Sequence, residues 1–400
     1  MTQQTKICQN CQKEFTVEPE DFEFYEKMKV PAPTFCPECR MIRRMCFRNE
    51  RSLYKRKCDL CEKDIISIYS PKSSLKIYCQ ECWWNDNWDP MIYGNKFNFN
   101  KMFFEQFQSL TELIPVVALF NTNAINSEYC NYAGNNKSCY LLFGGKDNEN
   151  ILYTSHIFFS KDSIDIYSSN KLEFCYENVQ CKNSYKLFFS QLSMDCLDSW
   201  FLYNCRNCQN CFGCANLRTK QYYIFNQPYT KEDYFEKIKT FYLETFSGIL
   251  KIKKLTQQHW GKYIRRYAYI INSLQSIGDN IYNAKNCQNC FDVIGTDSEN
   301  SKFSNLIVVG IKDSYDNYGT SKAECLYETL ATGFESNKNS NYFFSYFIKE
   351  SHNIWYSINC HSSSNLFGCI GLRHKQYCIL NKQYTKEEYE ELVPKIIEHM

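Results

Sequence analysis

The chain lacks several features that mark common classes of protein. Its 400 residues carry a formal net charge of +2, so no global charge draws it towards nucleic acid or an anionic membrane. No apolar run reaches about 18 residues, which argues against a membrane span. The first residues, MTQQTKICQNC, lack the apolar core of a signal peptide. We therefore expect a cytoplasmic protein with no membrane partner.

The sequence patterns of common catalytic sites are also missing. No GxSxG, GxxxxGK(S/T), HExxH or GxGxxG pattern occurs, and the six histidines are scattered. His361 follows Cys360, but neighbouring residues on a strand point to opposite faces, which argues against a Cys–His nucleophile. A binding protein is favoured over an enzyme, and the enzyme class stays open.

What the chain does have is 24 cysteines. A cytoplasmic protein does not hold them as disulfides, so metal ligands and buried thiols are the expected roles. Four CxxC pairs lie in the first ninety residues, and two such turns brought together give the four-sulfur cage that zinc prefers. No βαβ pattern surrounds them, which argues against redox-active CxxC. We predict two structural Zn2+ sites, the first from Cys8, Cys11, Cys36 and Cys39, the second from Cys58, Cys61, Cys79 and Cys82.

Residues 8–40 follow a recognisable pattern: CxxCxxxF, a helical segment that ends in FY, and a PxxCPxCR close. The stretch resembles a small family of zinc-ribbon domains. The whole chain is similar to two-ribbon proteins of small-genome candidate-phylum bacteria, in which CPxCRxxRR, RNER, CWW and the KQY repeat recur. The resemblance implies zinc and no established activity. Some relatives are labelled CaiB/BaiF-type CoA transferases, but this chain has no dinucleotide-type fold pattern and no recognisable catalytic Asp context.

The segment between the two ribbons is strongly basic, with Glu50 as its one acid and Phe47 and Tyr54 interleaved. Basic residues at i, i+3, i+4 and i+8 would line one face of a helix. Such a face suits phosphate contacts with aromatic stacking, so we predict binding of RNA, DNA or a ribonucleoprotein. The alternative is a solvated face, or one paired with acids elsewhere in the chain. The predicted nucleic-acid-binding residues are Arg40, Arg43, Arg44, Arg48, Arg51, Lys55, Arg56 and Lys57.

One stretch of the chain occurs twice. Residues 210–238 and 365–393 align without a gap and are identical at 17 of 29 positions, so they are copies of one structural unit. Thr230 with Asp233, and Thr385 with Glu388, have the spacing of a helix capping box. Each copy is therefore predicted to close a module and to lead into a helix.

Short aromatic and β-branched clusters recur every 11 to 14 residues before each copy. This rhythm predicts two duplicated parallel β-solenoid modules, with two clusters in each coil of about 22 residues. Only 14 glycines is low for a solenoid, so antiparallel β-sandwich modules are the alternative. The predicted fold class is mostly β, with two zinc ribbons, these modules, and short capping and connecting helices.

Small thiols and hydroxyls at repeated positions are expected to stack inside the solenoid. These are Cys139, Ser163, Cys175, Cys196 and Cys214, with Cys290, Ser314, Cys325, Cys360 and Cys369. A sharper alternative is that Cys205, Cys208, Cys211 and Cys214 hold a third metal or an iron–sulfur cluster. The second copy has Ser363 and Leu366 in place of two of them, which argues against a cluster.

The predicted organisation has seven segments. They are a first ribbon with the basic helix (1–57), a second ribbon (58–95), a connecting helix (96–126), a first solenoid module (127–229), a helical connector (230–275), a second solenoid module (276–383) and a C-terminal helix (384–400). The leading functional hypothesis is a zinc-binding, non-enzymatic protein whose ribbon head contacts nucleic acid or a ribonucleoprotein. The alternative is a protein-interaction scaffold with purely structural zinc, and the second alternative is an enzyme acting in a solenoid groove or between modules.

Overall fold

The computed structural model of the chain describes residues 2–295, 297–332 and 340–400. The fold is mostly β, with 40% of residues in strands and 20% in helices, and it contains a β-solenoid after the cysteine-rich N-terminal region. The α-helices of the described residues are α1 (Pro19–Met28), α2 (Pro37–Met45), α3 (Gln80–Trp84), α4 (Phe103–Leu113), α5 (Lys231–Lys239), α6 (Phe246–Trp260) and α7 (Lys386–His399), and a 3-10 helix covers Pro90–Tyr93.

The strands are short, and most belong to the two solenoid sheets. Their bounds are Gln4–Ile7, Glu14–Val17, Tyr54–Lys57, Asp64–Ser67, Ile77–Tyr78, Val116–Val117, Asn121–Thr122, Asn131–Gly134, Tyr140–Lys146, Glu149–Phe158, Lys161–Glu173, Tyr176–Val179, Lys182–Phe188, Leu197–Trp200, Gln209–Phe212, Gln221–Ile224, Gln227–Pro228, Ile270–Ile271, Ile277–Tyr282, Ala284–Val293, Ser298–Lys302, Asn305–Ile307, Val309–Tyr318, Ser321–Glu324, Leu326–Leu330, Tyr342–Phe343, His352–Trp355, Ser364–Phe367, Gln376–Ile379 and Lys382–Gln383.

Successive strands of both modules pair in parallel, which confirms the solenoid and rules out the antiparallel sandwich. In the first module each residue pairs with its equivalent in the next coil, from Asn121 with Ala133 to Gln209 with Gln221. The number of residues in one coil is therefore the separation of two partners in the sequence, for example from residue 121 to residue 133. The predicted coil, nearly twice as long, is wrong because each aromatic cluster marks a complete coil and not half of one.

In the first module a coil consists of four three-residue units. In each unit an inward residue is followed by an outward residue and then by a corner residue with positive φ, as in Cys205, Arg206 and Asn207. Left-handed backbone turns the chain at the corner, and Asn and Asp tolerate it better than most residues do. The corners repeat at every third position along most of the first module. The fold therefore turns without many glycines, which resolves the low glycine count.

The cross-section of so short a coil is narrow, so its inward residues must be small and must satisfy the backbone groups around them. The hydroxyl of Ser163 donates to Lys161 O at 2.8 Å and accepts from Cys175 N, one coil later, at 3.0 Å. The thiol of Cys205 donates to carbonyls at Tyr203 and Cys214, both at 3.6 Å. Serine and cysteine recur inside the coil because they are small and form these hydrogen bonds.

The duplicated stretch forms the closing turn of each module. Gln221–Ile224 folds back antiparallel onto Gln227–Pro228, as Gln376–Ile379 does onto Lys382–Gln383. The antiparallel partner covers the last strand edge, which would otherwise be free to pair with another chain. The Asn381 side chain donates to Ile370 O and accepts from Ile370 N, both at 2.8 Å, so it takes the place of the next coil.

The helices that the sequence predicts around these turns are present. Thr230 accepts from Asp233 N at the start of α5, and Thr385 forms a complete capping box with Glu388 at the start of α7. Helix α4 lies in the segment predicted as a connecting helix, 96–126. Gly248 lies in the first turn of α6, where its N–H binds the Thr245 side chain.

Contacts divide the chain into two compact units. The first comprises Met1–Asn49, Ser74–Val116 and Arg266–Met400, and so combines the first ribbon, α2 and the second solenoid module. The second comprises Glu50–Ser73 and Val117–Arg265, which includes the first solenoid module with α5 and α6. The seven-segment division stays a prediction.

Candidate metal centre and basic helix

The first predicted ligand set comes together. The sulfur atoms of Cys8, Cys11, Cys36 and Cys39 all lie within 4.8 Å of one another. The first two sit on a turn in which Cys8 N donates to Lys13 O and Gln12, with φ 60°, donates back to Cys8 O. Cys36 is the residue that precedes α2, and Cys39 lies in its first turn. A hairpin turn and a helix start therefore supply two ligands each.

Backbone groups stabilise thiolate at this centre. Cys36 N donates to Cys8 Sγ at 3.2 Å. Burial raises the pKa of the Cys8 thiol, but hydrogen bonds from the backbone at Cys11 and Cys36 outweigh it and lower the pKa to about 6. Burial raises the pKa of Cys36 to about 12. The Cys8 thiolate is thus favoured before any cation arrives, whereas Cys36 needs a cation to ionise.

The second predicted ligand set repeats this arrangement. The sulfur atoms of Cys58, Cys61, Cys79 and Cys82 also lie within 4.8 Å of one another. Cys58 N donates to Lys63 O at 2.9 Å, in the same turn as at Cys8, and Glu62 has φ 59° as Gln12 has 60°. Cys79 precedes α3 and accepts from Cys82 N at 3.4 Å.

Each group can hold a metal ion, and its donors are those that zinc prefers. Four thiolates at this separation fill a tetrahedral shell and leave no position for water or substrate. Such a site stabilises its fold and does not activate a nucleophile.

The thiols of Cys205, Cys208, Cys211 and Cys214 take a different arrangement. They are the inward residues on the four sides of one coil, and each donates to the carbonyl two residues before it, at 3.3 to 3.6 Å. Within the described residues, the groups of three or more ligand atoms close enough to hold a metal are the two N-terminal ones. The coil-lining thiols are packing residues that satisfy backbone carbonyls.

The basic helix α2 lies against two acids of the second solenoid module. Arg40 Nε donates to Asp316 Oδ2 at 3.0 Å, with the side chains 2% and 0% exposed. Arg44 lies 3.3 Å from the other oxygen of Asp316, and Arg43 donates to Glu328 Oε1 at 2.6 Å. Burial and the neighbouring Asp316 raise the pKa of Glu328, and the arginines oppose this rise. The sequence left three possibilities for this segment: phosphate contacts, a solvated face, or pairing with acids elsewhere in the chain. These three arginines follow the third.

Aromatic stacking holds the ribbon on the same coils. Phe24 of α1 stacks on Tyr315, with ring centroids 3.8 Å apart, and meets Tyr327 edge-on. Lys302 binds Asp21 at 2.6 Å. Such ring pairs contribute about 0.5–1.5 kcal/mol each beyond their buried area. The first ribbon is thus fixed to the module by apolar as well as ionic contacts.

The other predicted nucleic-acid-binding residues differ in their surroundings. The predicted helix ends at Met45, so they lie beyond it. Arg48 lies over the Tyr318 ring at 5.1 Å, Arg51 over Phe143 at 5.5 Å, and Arg56 binds Asp59 at 3.1 Å. Lys55 and Lys57 are exposed on the strand Tyr54–Lys57. Nucleic-acid binding by these eight residues stays a prediction.

The tryptophan-rich segment after Cys82 packs on the second module, as its composition suggests. Trp83 is fully buried, and its ring lies 5.4 Å from the guanidinium of Arg373. Arg373 donates to Trp84 O at 2.6 Å. Arg373 belongs to the duplicated stretch, and in this copy it joins the segment to the solenoid.

Asp316 and Glu328 are the important residues that the sequence did not single out. Both are buried corner residues with positive φ, φ 59° and φ 49°. A signal existed: each follows a tyrosine, in SYDNY and LYET, and the two motifs lie one coil apart.

Comparisons with known proteins do not extend this description. The chain matches no protein-family model and no curated protein. Solved structures match weakly; one described as a "putative acetyltransferase" from Desulfovibrio desulfuricans G20 is 11% identical, covers 67% of this chain and 71% of its own, and has a TM-score of 0.13. That score carries no information about function. No helix among the described residues has the length and apolar character to cross a membrane.

Proposed function

We propose that this protein is a zinc-binding, non-enzymatic scaffold for protein interactions. In this proposal the two four-cysteine groups hold structural zinc, and the first of them positions α2 on the second solenoid module. The solenoids then offer repeated outward side chains as a binding platform.

The buried pair of Arg40 with Asp316 is the observation that carries the proposal. A guanidinium that contacts phosphate must be accessible, yet this one is 2% exposed and already bonded to a carboxylate. The most basic part of the ribbon head therefore serves the chain's own packing. A closed four-thiolate shell likewise favours a structural role for the metal.

A second candidate function, nucleic-acid binding, is favoured by a smaller set of residues. Tyr54, Lys55 and Lys57 are exposed on one strand of the second ribbon. Lys55 and Lys57 share a face because side chains alternate along a strand. Two exposed lysines on one face match the chemistry of a short phosphate contact.

The test is fluorescence anisotropy of the zinc-loaded full chain with labelled single-stranded RNA and duplex DNA across a salt series. The scaffold proposal predicts binding no tighter than about 100 μM at physiological salt, the weak end of non-specific binding. The second candidate predicts micromolar binding that falls steeply as salt rises.

Two double variants separate the outcomes. Lys55→Glu with Lys57→Glu removes the exposed cations of the second ribbon, and Lys96→Glu with Lys101→Glu makes the same change of charge at exposed positions elsewhere. If the chain binds nucleic acid tightly, and the first variant loses this binding while the second keeps it, the scaffold proposal is overturned and the nucleic-acid function is established.

A further inference from the structure

The two solenoid modules repeat one another beyond the duplicated sequence. Counting back from the closing turn, outward residues stack one per coil along the same face. The stack of the first module is Ile164, Tyr176, Phe188, Trp200, Phe212 and Ile224, and that of the second is Tyr315, Tyr327, Phe343, Trp355, Phe367 and Ile379. The last four pairs keep the spacing of the duplicated stretch. The first two are spaced more closely, because more residues separate Tyr327 from its partner Phe343 than separate Tyr176 from its partner Phe188.

The corner residues that follow this stack also correspond. All of them have positive φ, and both series read acid, acid, aromatic, aromatic, glycine, apolar. They are Asp165, Glu177, Phe189, Phe201, Gly213 and Phe225 in the first module, and Asp316, Glu328, Phe344, Tyr356, Gly368 and Leu380 in the second. Asp165 and Glu177 are therefore the counterparts of the two acids that bind α2.

In the second module, other parts of the chain cover the two acidic corner residues, Asp316 and Glu328, and the rings beside them. Tyr315 is 9% exposed and Tyr327 2% exposed, because α1 covers both rings. The two carboxylates receive three arginines from α2. This site of the second module thus binds α2, a helix with arginines at positions i, i+3 and i+4.

In the first module, the equivalent residues Asp165 and Glu177 are covered only in part. Lys253 of α6 binds the Glu177 carboxylate at 2.7 Å and lies 4.8 Å from the Phe189 ring. Beyond it, Asp165 is exposed, and Ile164 and Tyr176 are each 36% exposed. In the part of the chain that the structure describes, Asp165 forms no ion pair.

The surface continues past this corner. Tyr153 and Tyr140 are 54% and 40% exposed, and their ring centroids lie 5.7 Å apart. Helix α6 covers the same face further along, so an added helix would extend an apolar interface that already exists. Desolvation and the Glu177 carboxylate raise the pKa of Asp165, although Lys253 opposes this rise, and a second cation would lower the pKa further.

We propose that Ile164, Asp165, Tyr176 and Glu177 form a docking site for a partner protein that presents arginines on one face of a helix. The proposal rests on the scaffold function and names the chemistry of its partner. Two stacked carboxylates repel phosphate, so this face does not accept nucleic acid. The apolar stack gives contact area, and the carboxylates select guanidinium over an apolar helix.

The chain itself supplies the probe, since α2 occupies the equivalent site. A fluorescein-labelled peptide of residues 36–49, with serine for its three cysteines, is titrated with the zinc-loaded full chain and followed by anisotropy. We expect saturable one-to-one binding with a Kd on the order of 10–100 μM, typical of a short peptide that must order on binding. A peptide with Arg40→Gln and Arg44→Gln should bind at least about tenfold more weakly.

Variants of the chain locate the binding. Asp165→Asn with Glu177→Gln should weaken binding at least about tenfold, and asparagine tolerates the φ of 56° at the corner. Glu173→Gln is the matched control, an exposed carboxylate on another side of the same coil, and should leave binding unchanged. Circular dichroism and thermal melts verify that each variant is folded.

Two results would overturn the docking site: equal affinity for the parent chain and the Asp165→Asn, Glu177→Gln variant, or no saturable binding at millimolar peptide. Neither result tests the scaffold proposal, which is tested by the nucleic-acid experiment.

Discussion

At the residue scale, the inward positions of the solenoid explain most of the cysteines outside the ribbons. Nine of the ten inward residues named from the sequence are buried. Cys325 is the exception: it is a corner residue with φ 59°, and Leu326 points inward instead. Composition could predict a narrow interior that needs small residues. It could not predict the register, because the coils at the start of the second module differ from one another in length.

Two serines of the strand Lys161–Glu173 test the role of inward hydrogen bonds. Ser163→Ala leaves the buried Cys175 N–H without its acceptor, so we expect a loss of about 1–3 kcal/mol in the free energy of unfolding. Ser168 is a buried corner residue of the same strand, with φ 49°, and its hydroxyl has no hydrogen-bond partner among the described residues.

Ser168→Ala should therefore change stability by less than about 0.5 kcal/mol. Urea denaturation of the zinc-loaded chain measures both variants. Equal costs would show that the lost hydrogen bond to Cys175 N–H is not the cause of the effect at Ser163.

At the element scale, helix α2 could be predicted from the sequence, but the residues it binds could not. The repeated CxxC spacing predicts both ligand sets, and the spacing of basic residues predicts a helix next to the first one. The acidic partner of Arg40 lies 276 residues away, and no local pattern points to it. The larger sequence separation of the paired residues Tyr327 and Phe343 changes the offset between the modules. It therefore hides the equivalence of the acidic corners until the strand register is known.

The buried ion pair should matter far more than an exposed one on the same strand. Arg40→Met leaves Asp316 without its main partner in the interior, which we expect to cost about 3–5 kcal/mol. Lys27 binds Asp313 at 3.0 Å, with its side chain 55% exposed, and Lys27→Met should cost at most about 1 kcal/mol.

Both variants are compared by chemical denaturation with zinc present. Adding Asp316→Asn to Arg40→Met should recover most of the loss, because the double variant removes the uncompensated charge and asparagine tolerates the φ of 59° at this corner. A double variant no more stable than the single one would argue against charge as the cause.

At the scale of the whole molecule, the chain consists of duplicated coils whose outer faces are covered unequally. The sequence predicted the duplication from one repeated stretch, and the rhythm of aromatic clusters predicted the solenoid. The predicted coil length was wrong because each aromatic cluster marks a complete coil and not half of one. The glycine count is low because most corners are Asn, Asp or other non-glycine residues with positive φ. The ribbon is the element that distinguishes the two modules, since it covers the acidic corner of the second.

The central claim is that bound zinc keeps the first ribbon on the second module. Hydrogen–deuterium exchange of the full chain, before and after chelation of its metal, tests this claim most directly. Metal analysis should give two zinc ions per chain. Chelation should speed exchange in residues 8–45 and in the coils at 309–330 that they cover, while residues 185–226 keep their protection. Unchanged exchange at 37–45 and 309–330 after complete loss of zinc would contradict the account.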